Sequence, residues 1–368
     1  MHNNSLPLAT GCNPACQGCA HRTLSAVESL ERKDRWLEQA LNDWKGQLNA
    51  TVAAPELRRW RYRDRVCLHA SWESGWRLGL RRGEAIVPIL DCPVHSPRVT
   101  RSARLLAPRM PATKGFPLAY YVQAGGQVTL VIKTAAEPET GWLDVELKGA
   151  LAGAGVQGLW LNCSPSAGRR LFAKRGWRLL WGQPRSRDAL GLIHGPAAFQ
   201  QLLPALYLQA MDLVASHLAP GPDRSVVDLY CGRGASLQRW VSLGAATIGV
   251  ELDGEAVSCA ADNAPAATVL RGGCAQRLPQ LQTWVDRQGA GAMVAFLNPP
   301  RTGLEPDVAL WLNAELRCRR IGYLSCSAGT LGRDLRRLAE GGFQVKRLVP
   351  FDFFPQTYHV EVLALLQR

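Results

Sequence analysis

The chain has 368 residues, 47% of them hydrophobic, enough for two domains that each bury a core, which excludes global disorder. No apolar run approaches the ~20 residues of a membrane-spanning helix, and the opening MHNNSLPLATGC has neither the basic flank nor the apolar stretch of a signal peptide, so a soluble cytosolic protein with no membrane partner is expected. The formal net charge is +13, and seven lysines leave 36 arginines among the 43 basic residues, which favours a polyanionic partner because cations at phosphates release counterions and guanidinium groups fit phosphates and stack on bases.

Eleven cysteines in a cytosolic chain are not expected to form disulfides. Three of them, Cys12, Cys16 and Cys19, crowd into CNPACQGC (12–19), where Gly, Pro and Asn leave little helix or strand propensity. This reads as a loop whose thiolates converge on a metal. Cys92, in the turn DCPVHSP (91–97), is the candidate fourth ligand. Four thiolates suit zinc or an iron-sulfur cluster, and spacing does not choose between them.

Residues 25–48 read as a helix with apolar positions at 27, 30, 37, 40, 41, 44 and 48, opened by a capping box of Ser25 and Glu28. Arg58, Arg59, Arg61, Arg63 and Arg65 follow with Trp60 and Tyr62 between them. On a strand, alternate arginines would share one face and meet a sugar-phosphate backbone. Residues 51–190 carry short strand-like runs, including 127–134 and 158–163, punctuated by Gly and Pro, as in a small β-rich domain. The expected division is an N-terminal region of residues 1–190 that holds the metal and binds RNA, and a catalytic domain of residues 191–368 that opens with a helix over 196–217.

From residue 225 strands and helices alternate. SVVDLYCGRGAS (225–236) is an apolar strand running into a glycine turn and a helix, and IGVEL (248–252) ends a second strand with Glu251. Glycines let the backbone approach a ligand, and a carboxylate after the second strand accepts from ribose hydroxyls. Gly232 and Gly234 do not complete GxGxxG, so an adenosyl ligand without a pyrophosphate, such as S-adenosylmethionine, fits better. FLNPPRTG (296–303) places Asn298 after an apolar strand, with Arg301 where amino-group methyltransferases usually carry an aromatic residue. YLSCSAGTLGRDL (323–335) and FFPQTYHVEVLALL (353–366) supply Cys326 after one strand and Glu361 at the start of another. The two would meet above one sheet edge as nucleophile and general base.

These motifs, in this order behind a cysteine-rich N-terminus, resemble the RNA uracil-5 methyltransferase family, and more narrowly its short iron-sulfur branch acting on 23S ribosomal RNA. The resemblance implies a C-terminal class I (Rossmann-like) S-adenosylmethionine methyltransferase domain with an N-terminal cluster-binding, β-rich domain. It makes Cys326 the nucleophile and Glu361 the base, and it gives Gln201 in AFQQLLP (198–204), Tyr230, Glu251 and Asn298 contacts to S-adenosylmethionine. Cys12, Cys16, Cys19 and Cys92 would hold a [4Fe-4S] cluster in preference to zinc. A monomer is expected that methylates C5 of a uridine in RNA, with 23S rRNA preferred to tRNA, through a covalent bond from Cys326 to C6. Two positions, Leu203 and Ser327, depart from the asparagines usual in the family. The competing readings are an amino-group methyltransferase using the NPPR motif and a non-catalytic RNA-binding factor with a degenerate site. Covalent chemistry also calls for a thiol pKa about 1.5 units below the usual ~8.5, supplied by Arg301, Arg333 or backbone amides.

Overall fold

The computed structural model describes residues 6–288 and 292–368. Residues 1–5, the start of the segment tested for a signal peptide, and residues 289–291 lie outside the described residues. The chain divides into two compact units, each built from two stretches: Met1–Leu24 with Pro55–Leu202, and Ser25–Ala54 with Leu203–Arg368. Among the described residues, no helix is long and apolar enough to cross a membrane.

The first helix, α1 (Ala26–Ala40), opens on the expected capping box, and a 3₁₀ turn, Asn42–Gln47, follows it. The periodicity differs from the expectation. Val27 is 64% exposed, whereas Ser29, Lys33, Leu37 and Leu41 are buried at a spacing of four. A lysine enters this stripe because its Nζ donates to Asp352 Oδ1 at 2.5 Å and to the Phe354 carbonyl at 3.3 Å. Removing one member of such a buried pair leaves a desolvated charge and costs about 3–5 kcal/mol.

The N-terminal unit contains β1 (Arg65–Trp72), β2 (Trp76–Arg82), β3 (Ala85–Pro88), α2 (Pro97–Leu106), β4 (Leu118–Ala124), β5 (Gln127–Ile132), α3 (Val145–Gly153), β6 (Gly158–Cys163), β7 (Trp177–Gly182) and the short pair β8 (Ser186–Arg187) and β9 (Ile193–His194). Its sheet runs β3-β2-β1-β4-β5-β6-β7, antiparallel except where β5 meets β6. Val99, Ala103 and Leu106 of α2 share its core with Leu147 and Leu151 of α3. This is the β-rich domain expected. The arginine run, however, is not a strand: Glu56–Arg58 is a 3₁₀ turn, Arg61 has φ +54°, and only Arg65 enters β1. The amides of Arg61 and Arg63 instead bond to the carbonyls of Pro93 and Val94, at 2.9 and 3.0 Å. The run is thereby tied to the turn that carries Cys92.

The C-terminal unit continues with α4 (Pro204–Leu218), β10 (Arg224–Leu229), α5 (Ala235–Ser242), β11 (Thr247–Glu251), α6 (Gly254–Asn263), β12 (Thr268–Arg271), α7 (Cys274–Arg287), β13 (Ala292–Leu297), α8 (Pro306–Ala314), β14 (Arg320–Ser325), α9 (Ala328–Glu340), β15 (Gln344–Phe351) and β16 (Glu361–Gln367). Helix α4 starts eight residues later than expected, at Pro204, where proline suits the first turn because its missing amide hydrogen needs no partner there. The strand order is β12-β11-β10-β13-β14-β16-β15. Strands β10 to β14 are parallel, and β16 inserts antiparallel between β14 and β15. Val226, Val227, Leu229, Ile248, Val250, Ala295 and Leu297 are buried, as strands covered on both faces require. This is the Rossmann-like sheet expected, and its order reverses between β10 and β13, which opens a ligand crevice at their carboxyl ends.

The domain boundary also moves. Residues 25–54 belong to the C-terminal unit and the division falls after Leu202, not after residue 190. Backbone bonds explain it: Asn49 and Val52 donate to the carbonyls of Leu348 and Pro350 at 2.9 and 2.8 Å, and Asp352 donates back to Val52 at 3.0 Å. The segment after α1 thus runs along the edge strand β15.

Candidate active site and cysteine cluster

Adjacent carboxyl ends of parallel strands carry most of the candidate residues. Glu251 ends β11, Tyr230 follows β10, Asn298 follows β13 and Cys326 follows β14. The Asn298 amide bonds to the Leu229 carbonyl at 3.2 Å, and that of Cys231 to Val250 at 3.0 Å, which draws three of these ends together. The Glu251 carboxylate accepts from the amides of Gly232 at 3.0 Å and Asp253 at 2.8 Å, closing the glycine turn. Gly232, at φ +56°, has nothing within 4 Å of where a Cβ would project, whereas a Cβ on Gly234 would lie 2.9 Å from the Ala260 Cα. One glycine leaves room above the turn and the other admits α6 beneath it. Tyr230 itself has φ +61°, and its hydroxyl donates to Glu305 at 3.2 Å.

Below this turn Asp228 is fully buried and accepts from the Trp240 indole at 2.8 Å and from the Ser236 hydroxyl. Burial raises its pKa to about 7, and its Oδ1 has no partner among the described residues. The residue thereby binds β10 to α5. Gln201 lies between β9 and α4 among the last residues of the N-terminal unit, so it is not part of the compact unit that holds the other three cofactor candidates.

Cys326 and Glu361 are brought together by strand register. Ser325 of β14 faces Val362 of β16, so the next position on each strand is Cys326 and Glu361, at the point where the strands part. The Cys326 thiol is half-buried, and Glu361 is 3% exposed. Burial raises the thiol pKa first and the Glu361 charge raises it further, while a hydrogen bond and the positive charge of Arg301 pull it down without reversing the shift. The expected depression of this pKa is therefore not what the structure holds. Arg333 does not take part: it donates to Asp334 at 2.8 Å and to the Thr302 carbonyl at 2.7 Å. Asp334 in turn accepts from Tyr323 and the Leu304 amide, both at 2.8 Å, which buttresses the NPPRTG turn.

Sequence reasoning missed what happens between β15 and β16. Asp352 and Phe354 are pinned by Lys33, and the next turn is closed by the Thr357 hydroxyl and amide on the Phe354 carbonyl, at 2.8 and 3.2 Å. Gln356, within this turn, has φ +70° and is 1% exposed, and both polar atoms of its side chain are buried without a hydrogen-bond partner among the described residues. A left-handed non-glycine residue costs about 1–3 kcal/mol, and an unsatisfied buried polar group a similar amount. The one available signal was a lone aspartate inside the apolar run FDFF (351–354), since a buried acid requires a cation.

In the N-terminal unit Cys12, Cys16, Cys19 and Cys92 line one cavity, with Trp60 and Ile89 in its wall. The Gly18 amide points at the Cys16 sulfur at 3.3 Å, and the amides of Val94 and His95 bond to that of Cys92. Arg22 holds the loop by donating to the carbonyls of Cys16 and, at 3.0 Å, Pro14. Burial, with the negative charges of Cys92, Cys16 and Cys12, pushes the Cys19 thiol up to about 12 against the pull of Arg63. Among the described residues, no three His, Cys, Asp or Glu side chains gather closely enough to hold a single metal ion.

Residues 286–368 match the family model for tRNA (uracil-5-)-methyltransferase. Over nearly its whole length the chain is similar to uncharacterized RNA methyltransferases of Halalkalibacterium halodurans, at 26% identity over 96% of this chain and 81% of that protein, and of Listeria monocytogenes, at 27% over 95% and 82%. A 23S rRNA (uracil(1939)-C(5))-methyltransferase of a Shewanella species is 35% identical over 49% of this chain and 40% of that enzyme. Over its C-terminal part the chain is similar to RNA (uracil-5)-methyltransferases. The family match contains Asn298, Arg301, Cys326 and Glu361; it begins after Glu251, Tyr230 and the four clustered cysteines. The crystal structure of Pyrococcus abyssi tRNA (uracil-54, C5)-methyltransferase with S-adenosyl-L-homocysteine has the same fold as this chain, with a TM-score of 0.69 at 22% identity over 96% of this chain and 86% of that one.

Proposed function

We propose that the protein transfers a methyl group from S-adenosylmethionine to C5 of a uridine in 23S ribosomal RNA, with Cys326 as covalent nucleophile and Glu361 as base. The observation that carries this reading is the register that sets Cys326 beside Glu361, one strand away from the crevice of Tyr230, Glu251 and Asn298. Open space at Gly232 and a carboxylate at the end of the second strand fit an adenosyl group. S-adenosylmethionine, when bound there, supplies an electrophilic methyl group.

The protein's own residues supply the rest. The Cys326 thiol gives its proton to water and its sulfur adds to C6 of the uracil, moving the C5–C6 π electrons toward the C4 carbonyl oxygen and making C5 nucleophilic. Once C5 carries the methyl group, Glu361 removes its proton. The electron pair of that C–H bond re-forms the C5–C6 double bond as the C6–S bond breaks, which returns the thiolate. Reaching C5 and C6 requires an unstacked target base. The loop of residues 164–176 suits RNA: it carries Arg169, Arg170, Lys174 and Arg175 and no carboxylate, and Phe172 packs on Trp177 at 4.9 Å. The similarity to a 23S rRNA enzyme over half the chain favours ribosomal over transfer RNA. In ribosomal RNA from a strain lacking this gene, one 5-methyluridine should disappear and return with the intact gene. A methyl group lost instead from an exocyclic nitrogen would establish the amino-group reading.

We assign the cysteine cavity to a [4Fe-4S] cluster in preference to zinc, as the family resemblance implies. Four thiols line that cavity, with amides directed at two of the sulfurs, a donor set suited to an all-thiolate cluster. The methyl transfer needs no electron, so the cluster would bind the N-terminal loop to the Cys92 turn. Protein purified anaerobically should be brown, with broad absorbance near ~400 nm, and Cys16→Ala should lose the iron. Colourless protein with stoichiometric zinc would overturn this assignment.

A further inference from the structure

We propose that Gln356 is a substrate-contacting residue whose amide takes the polar edge of the target uracil, accepting from N3–H through Oε1 and donating to an adjacent carbonyl oxygen through Nε2. This rests on the uridine-methylating reading and extends it to how the base is held.

Three independent observations converge on Gln356. It lies in the connection from Phe351, which pairs with Glu361, to Glu361 itself, so its turn stands at the strand end where Cys326 and Glu361 meet. Its amide is buried and neither polar atom has a partner, whereas buried amides are ordinarily satisfied. Its backbone is left-handed at φ +70°, a conformation asparagine or glycine takes more readily. A strained, buried amide without a partner among the described residues, in the turn that leads into the base, is the arrangement expected of a group awaiting a ligand. The turn is also prevented from relaxing. Lys33 from α1 grips Asp352 and the Phe354 carbonyl, and Thr357 closes on that same carbonyl. A base drawn out of its stack has lost its pairing partner, and one acceptor with one donor at fixed spacing replaces what uracil's N3–H and carbonyl gave up.

The test compares wild-type protein with Gln356→Leu and with the near-isosteric Gln356→Glu, on RNA carrying uridine or 3-deazauridine at the mapped target. The second base keeps the ring's shape but replaces N3–H by C–H. Gln356→Leu should lower kcat/KM on uridine RNA about 100-fold, a decade for each hydrogen bond, with unchanged S-adenosylmethionine affinity and thermal unfolding. Wild-type protein should discriminate between the two RNAs by at least about 10-fold more than Gln356→Leu does. Both enzymes meet the same intrinsic reactivity, so that difference isolates the contact. If Gln356→Leu does not fold, Gln356→Glu should show the same loss, because a carboxylate has no donor for the carbonyl. Wild-type kcat/KM in either variant, or a loss with identical discrimination in variant and parent, would overturn the proposal. Failure of the wild-type protein to form 5-methyluridine would remove the parent reading, and this proposal with it.

Discussion

Cys326→Ala is expected to reduce methyl transfer by more than about 10⁴-fold, while RNA and S-adenosylmethionine still bind with wild-type affinity. The prediction comes from the covalent step: without the sulfur nothing adds to C6, and C5 of an intact uracil does not attack a methyl sulfonium. The pH profile is a second, independent readout. Burial and the Glu361 charge hold the Cys326 thiol above its ordinary value of 9.0, with Arg301 opposing them. At physiological pH the group is therefore almost entirely protonated, and its reactive fraction grows about tenfold for each unit of pH below that pKa. The kcat/KM of the wild-type enzyme should climb with a slope near one from pH 7 to 9. Arg301→Met should lower the rate across that range, because it removes the charge and hydrogen bond that favour the thiolate. Turnover by Cys326→Ala, or a flat profile over the same range, would sink the covalent mechanism.

Much of this site was legible in the sequence because its parts obey local rules. A parallel strand buried on both faces reads as an apolar run, and the residues just past its carboxyl end read as a site; VVDLY, AFLN and YLSC each declare themselves in this way. The capping box of α1 is likewise a local signal, and the helix begins where it predicts. The features that escaped depend on partners far away in the chain. Lys33 looks like a solvated helix residue until Asp352, 319 positions later, is beside it, so the local pattern reveals neither the buried stripe of α1 nor the place of residues 25–54 in the C-terminal unit. The alternation of Arg58 to Arg65 suggested a strand, but the backbone there is taken by Pro93 and Val94, and no local pattern announces that competition. The same limit hid Gln356, whose interest lies in what it fails to bond, a property of the folded surroundings alone.

The Glu361→Gln variant should separate the two halves of the reaction and move two observables in opposite directions. Loss of the carboxylate leaves the C5 proton without an acceptor, so turnover should fall by about 10²–10⁴-fold, the usual worth of a positioned base. Addition and methyl transfer precede that step, so a protein–RNA adduct carrying the methyl group should accumulate and survive denaturation. The thiol, meanwhile, should become more reactive. Glu361 raises the Cys326 pKa by its negative charge, and a neutral amide in its place removes that opposition, so the thiolate fraction at pH 8 increases and alkylation of Cys326 by iodoacetamide accelerates. A variant damaged only in its fold would expose other thiols as well, and peptide mapping distinguishes that case, because the gain here is confined to Cys326. Faster alkylation with no trapped adduct would place Glu361 beside the nucleophile without making it the base. Slower alkylation would mean that its charge does not reach the sulfur, and the pairing across β14 and β16 would lose its chemical meaning.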